Sequence, residues 1–313
     1  MKKNIFYLLL LASVFCQAQI KGYNNPWFFG NFPDNNFYPP ASVLAKIVSL
    51  SPKVLRFPGG NIANGYDVSK PGYGYPKEYG DNYIFNQVRL AKETGSQTAF
   101  VANLYEALTE PANEAYWIQN IVTAVKILNP KYVELGNEIP IYPEITGVTT
   151  GNPGIFQNRT KFISTVSANA SRYVQVCQKV IQAINAAGLS PQFGVTMDQP
   201  LHDRGKTWNS VIRNWGGYTA EIYHIYLTTR NVTDTKNAIN KIITGSAKPV
   251  WITEWGWVHG NGLTTILNPQ DIGTSYYNAF PGNFATACSQ ISRIAMTCRH
   301  QLYGTSVYSV ILP

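Results

Sequence analysis

Charged side chains are scarce in this chain. Asp, Glu, Lys and Arg together make up 13% of its 313 residues, and no block of like charge occurs. With neither a basic run nor a basic stripe, a nucleic-acid partner is not expected. Histidine is scarcer still, with four residues at 202, 224, 259 and 300. They are not clustered with Asp, Glu or Cys at ligand spacing, so neither a metal nor any other cofactor is expected. Cysteine is limited to Cys16, Cys177, Cys288 and Cys298. Cys288 and Cys298 read as part of one helical pattern, about 15 Å apart along its axis, too far to bridge. Cys177, Cys288 and Cys298 are therefore read as small buried hydrophobes without a disulfide framework. No Gly-rich phosphate loop follows the first candidate strand, which counts against a doubly wound nucleotide-binding sheet. After residue 18 no apolar run could span a bilayer, so no membrane insertion is expected.

The amino terminus is a different kind of segment. Lys2 and Lys3 precede an apolar run from Ile5 to Phe15, and Cys16-Gln17-Ala18 places small residues at the −3 and −1 positions of a cleavage site. This is the pattern of a secretory signal peptide over residues 1–18, giving a secreted or periplasmic mature chain that starts at Gln19. A lipid anchor at Cys16 is the alternative, which the bulky Phe15 fits poorly. Removing the segment takes the formal charge from +8 to +6. What the sequence has in plenty is aromatic: 20 Tyr and 7 Trp, many in Gly-, Pro- and Asn-rich stretches. Aromatics beside amides suit a carbohydrate-binding surface, or they simply cap loops.

From residue 19 onward a β–α rhythm recurs. Candidate strands are Trp27–Gly30, Val54–Phe57, Ala99–Asn103, Tyr132–Glu138, Phe193–Met197, Ile222–Tyr226, Val250–Trp257 and Tyr308–Ile311. Helical patterns fall between them, among them 114–128, with Trp117, Ile121, Val122 and Val125 on one face, 171–187, and one opened by Asp234. The last runs from about Pro281 to Leu302. Eight strands at roughly 37 residues per unit predict a single (β/α)8 barrel over residues 19–313, its last helix missing after strand eight. An open doubly wound sheet is the rival fold.

In such a barrel the carboxyl ends of the strands face the active site. The residues there are Arg56, Asn103, Asn137, Glu138, His224, Tyr226, Glu254 and Trp257. Glu254 ends an apolar strand among three tryptophans, Trp251, Trp255 and Trp257, and Glu138 ends another. Glu is rarely buried without a reason. Each could be one half of an ion pair; together they match the two carboxylates that glycosidic cleavage needs, one to donate a proton and one to attack or stabilise the anomeric carbon. A strand histidine such as His224 is as often a core residue as a ligand, and Arg56 could serve only as a barrel-interior counter-ion, a role that coincides with the functional one. Glu134, deeper on the same strand as Glu138, is assigned no catalytic role.

Four of these stretches carry a resemblance. Gly136-Asn137-Glu138 and Ile252-Thr253-Glu254-Trp255 resemble the fourth- and seventh-strand signatures of the clan A glycoside hydrolases. Leu55-Arg56-Phe57-Pro58-Gly59-Gly60 is similar to the second-strand motif of that clan's arabinofuranosidase and heparanase branches, and His224-Ile225-Tyr226 to a sixth-strand motif. The resemblance implies a TIM-barrel retaining glycosidase with Glu138 as acid/base and Glu254 as nucleophile. Asn137 would bind the sugar 2-hydroxyl, Arg56 would sit beneath Glu254 and keep it ionised, and Tyr226 would donate to Glu254. Members of those two branches usually carry a β-sandwich beside the barrel, and none is expected here. The expected function is thus secreted hydrolysis of O-glycosidic bonds in a poly- or oligosaccharide. The alternatives are a non-catalytic carbohydrate-binding barrel derived from such an enzyme, a polysaccharide lyase, or a metal-dependent hydrolase. The sugar, its linkage, endo or exo action and the oligomeric state are not legible.

Overall fold

The computed structural model describes residues 19–25, 38–69, 83–141, 165–257, 274–300 and 302. Eight parallel strands close into a barrel in chain order, each hydrogen-bonded to the next and β8 to β1. They are β1 (Ile20–Asn24), β2 (Val54–Phe57), β3 (Gln97–Ala102), β4 (Tyr132–Leu135), β5 (Gln192–Thr196), β6 (Ala220–Leu227), β7 (Val250–Trp257) and β8 (Ile294–Arg299). The helices are α1 (Ala41–Ser49), α2 (Tyr83–Thr94), α3 (Leu104–Thr109), α4 (Glu114–Leu128), α5 (Val166–Ala186), α6 (Asp203–Trp215), α7 (Val232–Ile242) and α8 (Ser275–Ser289). Strands buried on both faces read as unbroken apolar runs, and β2 and β4 have every residue buried.

Two expected strands are corrected. The first strand is Ile20–Asn24, not Trp27–Gly30, and the eighth is Ile294–Arg299, which lies inside what reads as a continuing helix. The helix stops at Ser289, so Cys288 ends a helix while Cys298 lies on a strand; the three thiols are buried and free. Trp27–Gly30, Tyr308–Ile311, the missing last helix expected after strand eight and the signal segment all fall outside the described residues. Two helix starts also move: α5 begins at Val166, and α7 is capped by Asn231, whose side chain accepts from the Asp234 N–H.

The core has two compartments. Between barrel and helices, one face of each helix packs on the outer strand faces, as Trp117, Ile121, Val122, Val125 and Leu128 of α4 do. Inside the barrel, Val54, Ala99, Tyr132, Ala220, Ile222, Trp251, Met296 and Cys298 form a separate apolar plug. The Trp251 and Tyr132 rings meet edge to face at 5.3 Å. Room for the indole comes from Gly194 on β5, where a Cβ would lie 2.7 Å from the Trp251 ring and from Ile222 Cδ1.

One irregularity decides what lies above the plug. Tyr223 pairs with Ile252 and His224 with Glu254, so Thr253 is an extra residue, a bulge in β7. Strict alternation from the inward Trp251 would send Thr253 in and Glu254 out. The bulge turns both inward, Thr253 onto Glu134 and Glu254 onto Arg56.

Among the described residues no helix is long and apolar enough to cross a membrane. Gly194→Ala should destabilise the barrel by about 1–3 kcal/mol, the usual cost of overpacking. A urea-unfolding midpoint equal to wild type would contradict this account of the plug.

Candidate active site

The site is built around a guanidinium with no exposed surface. Arg56 lies on β2 directly above the apolar plug, 0% exposed. A guanidinium has five N–H donors and no acceptor, and each donor here finds a partner. Nε donates to Glu134 Oε1 and Oε2 at 3.0 and 2.9 Å. Nη1 donates to Glu254 Oε1 at 2.6 Å and to Asn24 Oδ1 at 3.3 Å. Nη2 donates to Asn137 Oδ1 at 2.9 Å and lies 3.4 Å from His224 Nε2. Arg56 is therefore an organiser, with no donor left to bind substrate directly.

Glu254 receives hydrogen bonds unequally on its two oxygens. Oε1 accepts from Arg56, from Asn24 Nδ2 at 3.1 Å and from the Gly60 backbone N–H at 3.1 Å. Oε2 accepts from the Tyr226 hydroxyl at 2.9 Å, with Nδ1 of His224 and of His300 each 3.6 Å away. Burial opposes the charge of this carboxylate. His224, Arg56 and His300, with the Tyr226 hydrogen bond, outweigh it and hold its pKa well below the usual carboxylate range.

Glu138 is presented differently. Strand β4 ends at Leu135, and Gly136 follows at φ +97°, where a Cβ would lie 2.5 Å from Ile139 Cγ1. Glu138 itself is left-handed at φ +49°, an unusual state for a residue with a side chain. Alternation along β4 thus stops before Glu138, and its side chain is 26% exposed against 5% for Glu254. The turn is held from both sides. Buried Tyr173 of α5 donates to the Leu135 carbonyl at 2.6 Å, and Asn64 Nδ2 donates to the Asn137 carbonyl at 3.2 Å.

His224 joins the two carboxylates. Its Nδ1 is 2.8 Å from Glu138 Oε1. Its Nε2 faces the donor-only guanidinium, so in the neutral ring the proton is on Nδ1 and is donated to Glu138. Burial disfavours the imidazolium, but Glu254 and Glu138 outweigh it and raise the pKa of His224. His300 shows the opposite tautomer. Because Asn24 Oδ1 accepts from Arg56, its Nδ2 must donate to His300 Nδ1, 2.9 Å away, leaving the ring proton on Nε2. Burial, the largest influence there, lowers the His300 pKa.

Arg56, Asn137, Glu138, His224, Tyr226 and Glu254 are thus brought together. The Asn137 Nδ2 is buried with no partner among the described residues. Two expected substrate ligands are not brought to the site. Asn103 caps α3, its Oδ1 accepting from the Glu106 N–H and its Nδ2 donating to the Tyr66 carbonyl. Trp257 is outward of the bulge and packs edge to face on Phe280 at 5.3 Å. Its neighbour Trp255 stacks on Phe284 at 4.2 Å, and Trp251 fills the plug, so these tryptophans are core rather than sugar platforms. The loop tyrosines Tyr73, Tyr75 and Tyr79, which taken singly read from the sequence as packing rather than sugar subsites, lie outside the described residues. Asn24 and His300 were missed, because they terminate or follow the two misplaced strands. Glu138, His224 and Glu254 also bring donor atoms within 4.8 Å of one another, a metal-like cluster that spacing along the sequence does not disclose. The adjoining Arg56 charge opposes a cation there.

No protein-family model and no curated protein sequence matches the chain. Solved structures match it in three dimensions. The α-L-arabinofuranosidase of Thermotoga maritima, in its arabinose complex, is 15% identical with a TM-score of 0.60 over 95% of this chain and 66% of its own. The chain has the barrel fold of glycoside hydrolases. The GH53 catalytic domain of Ignisphaera aggregans superposes at TM-score 0.55 with 12% identity, covering 89% of this chain and 83% of its own. A GH128 endo-β-1,3-glucanase of Amycolatopsis mediterranei, a point mutant in complex with laminaripentaose, gives 0.51 with 10% identity, over 94% and 93%. The chain spans just under two thirds of the length of the arabinofuranosidase, and at these identities the fold is what is shared.

A carboxyl whose folded pKa is depressed adds stability above its unfolded value, and that stability is lost as pH falls. Wild type should therefore lose stability on acidification below pH 4.5, the ordinary value for Glu, more steeply than Glu254→Gln. Unfolding midpoints across the acid range measure this. Parallel profiles for the two proteins would contradict the assigned ionisation.

Proposed function

We propose that the chain is a retaining glycoside hydrolase that cleaves O-glycosidic bonds of a poly- or oligosaccharide. The observation that carries this reading is the approach of the two unlike carboxylates: oxygen atoms of Glu138 and Glu254 come within 4.8 Å. Retaining pairs are separated by about 5–5.5 Å, whereas inverting pairs leave roughly 6.5–9.5 Å for a water. Glu254 is the nucleophile. Among the described residues its Oε1 takes three donors and its Oε2 the Tyr226 hydroxyl alone, so Oε2 attacks the anomeric carbon. Glu138, the more exposed carboxyl, gives its proton to the departing glycosidic oxygen and later takes one from the incoming water.

Because the His224 Nδ1–H donates to Glu138 Oε1, the acid proton of Glu138 belongs on Oε2. The unpartnered Asn137 Nδ2 donates to a hydroxyl of the bound sugar. Arg56 keeps the nucleophile ionised without touching substrate. Residues 1–18 direct export, with Gln19 the first residue of the mature chain, and residues 19–313 form the catalytic barrel. Arabinofuranosides and β-1,3-glucans head the substrates to test, because the fold neighbours named above are enzymes of those sugars.

Glu138→Ala should lose far more activity on a natural glycoside than on an activated aryl glycoside, which needs no proton to leave. Added azide should accelerate its turnover and give a product of retained configuration. Glu254→Ala should be inactive on both, and any azide product should be inverted. Product analysis by NMR reads these outcomes, and exchanged patterns would reverse the two roles.

Arg56→Leu should lower turnover severely and cost about 3–5 kcal/mol of stability, since it strands buried carboxylates. Wild-type turnover in that variant would remove Arg56 from the scheme.

A further inference from the structure

We propose that Glu134 is a positioning residue of this same site, sharing the charge of Arg56 with Glu254 so that the nucleophile stays reactive. The inference rests on the glycosidase reading and adds to it a residue that touches no substrate. Glu134 is completely buried, one alternation step above Tyr132 of the apolar plug. Among the described residues its carboxylate has two hydrogen-bond partners: Arg56 Nε, which donates to both oxygens, and Thr253 Oγ1, which donates to Oε2 at 3.2 Å.

The form of the contact matters. An arginine usually meets a carboxylate with two nitrogens in a fork. Here Glu134 takes the Nε edge alone, and both terminal nitrogens point toward the site, Nη1 to Glu254 and Nη2 to Asn137 and His224. Pinning Nε from below fixes the rotation of the guanidinium plane.

It also divides the charge. Two buried carboxylates draw on one guanidinium, so Glu254 is not stabilised by all of it. Burial and the nearby Glu254 push the Glu134 pKa upward, the cost of keeping this second anion. That division has a directional kinetic effect. Attack by Glu254 consumes its negative charge, so a more stabilised carboxylate attacks more slowly. Hydrolysis of the glycosyl-enzyme ester restores that charge, so the same stabilisation makes Glu254 leave faster.

Glu134→Gln removes the charge while keeping an acceptor for Nε. It should lower kcat by about tenfold or more on a natural glycoside, with KM within about twofold. On an activated aryl glycoside, limited by the second step, kcat should hold or rise, and azide should have no effect. Glu134→Asp keeps the anion but withdraws it by one methylene, and it should show the same contrast more weakly. It serves as the second variant should the first not fold. Equal losses on both substrates, wild-type rates on both, or azide rescue would overturn the proposal while leaving Glu138 and Glu254 in their roles. A wild type inert on every glycoside offered would overturn the glycosidase reading and this proposal together.

Discussion

Everything at the mouth of this barrel depends on satisfying one buried guanidinium. A cation removed from water is expensive unless it is fully paired. Arg56 reaches that condition by drawing on several staves at once: Asn24 from β1, Glu134 and the following Asn137 from β4, His224 from β6 and Glu254 from β7. The requirement runs both ways. The guanidinium needs those acceptors, and the acceptors lose their orientation without it. Because an arginine donates and never accepts, it also settles the amide and imidazole orientations around it. Asn24 turns its oxygen inward, His300 carries its proton on Nε2, and neutral His224 carries its proton on Nδ1.

The same arrangement makes two identical side chains behave differently. Glu254 lies under positive charge and out of solvent, which keeps it an anion. Glu138 stands on a left-handed turn beyond the strand end, partly exposed, and accepts from the His224 imidazole N–H. Different environments are what set the proton affinities of two like carboxyl groups apart. They arise from where β4 stops and where β7 bulges.

Much of this was legible in the sequence. Six of the eight strands are apolar runs that can be read directly, and Arg56, Asn137, Glu138, His224, Tyr226 and Glu254 follow from their ends. The failures have separate physical origins. Strand β1, Ile20-Lys21-Gly22-Tyr23-Asn24, has little apolar signal, because only Ile20 and Tyr23 are apolar while Gly22 sits against Val54 and Asn24 faces the site. Strand β8 follows α8 so closely that Ile291, Ile294 and Cys298 extend the helical spacing across the turn. Asn24 and His300, set at the ends of those two strands, were lost with them. Trp257 was misjudged for another reason: composition marks an aromatic but does not say which face of a bulged strand it occupies.

The bulge at Thr253 also bears on how this barrel can change over generations. A strand without such a defect tolerates shifts of two residues, since even steps preserve its faces. In β7 the defect itself keeps Glu254 inward: pairing Thr253 regularly, with no residue lost, would carry Glu254 to the helix side and Trp255 into the cavity, whereas loss of Thr253 would leave Glu254 inward and remove the contact with Glu134. In the first case alone the face that meets Arg56 would be exchanged for a packing face, without any change in the flanking residues. Length variation among descendants of this chain should therefore accumulate in the connecting loops, and any shortening between Trp251 and Trp255 should fall on the bulge residue, which alone can be lost with Glu254 still opposite His224.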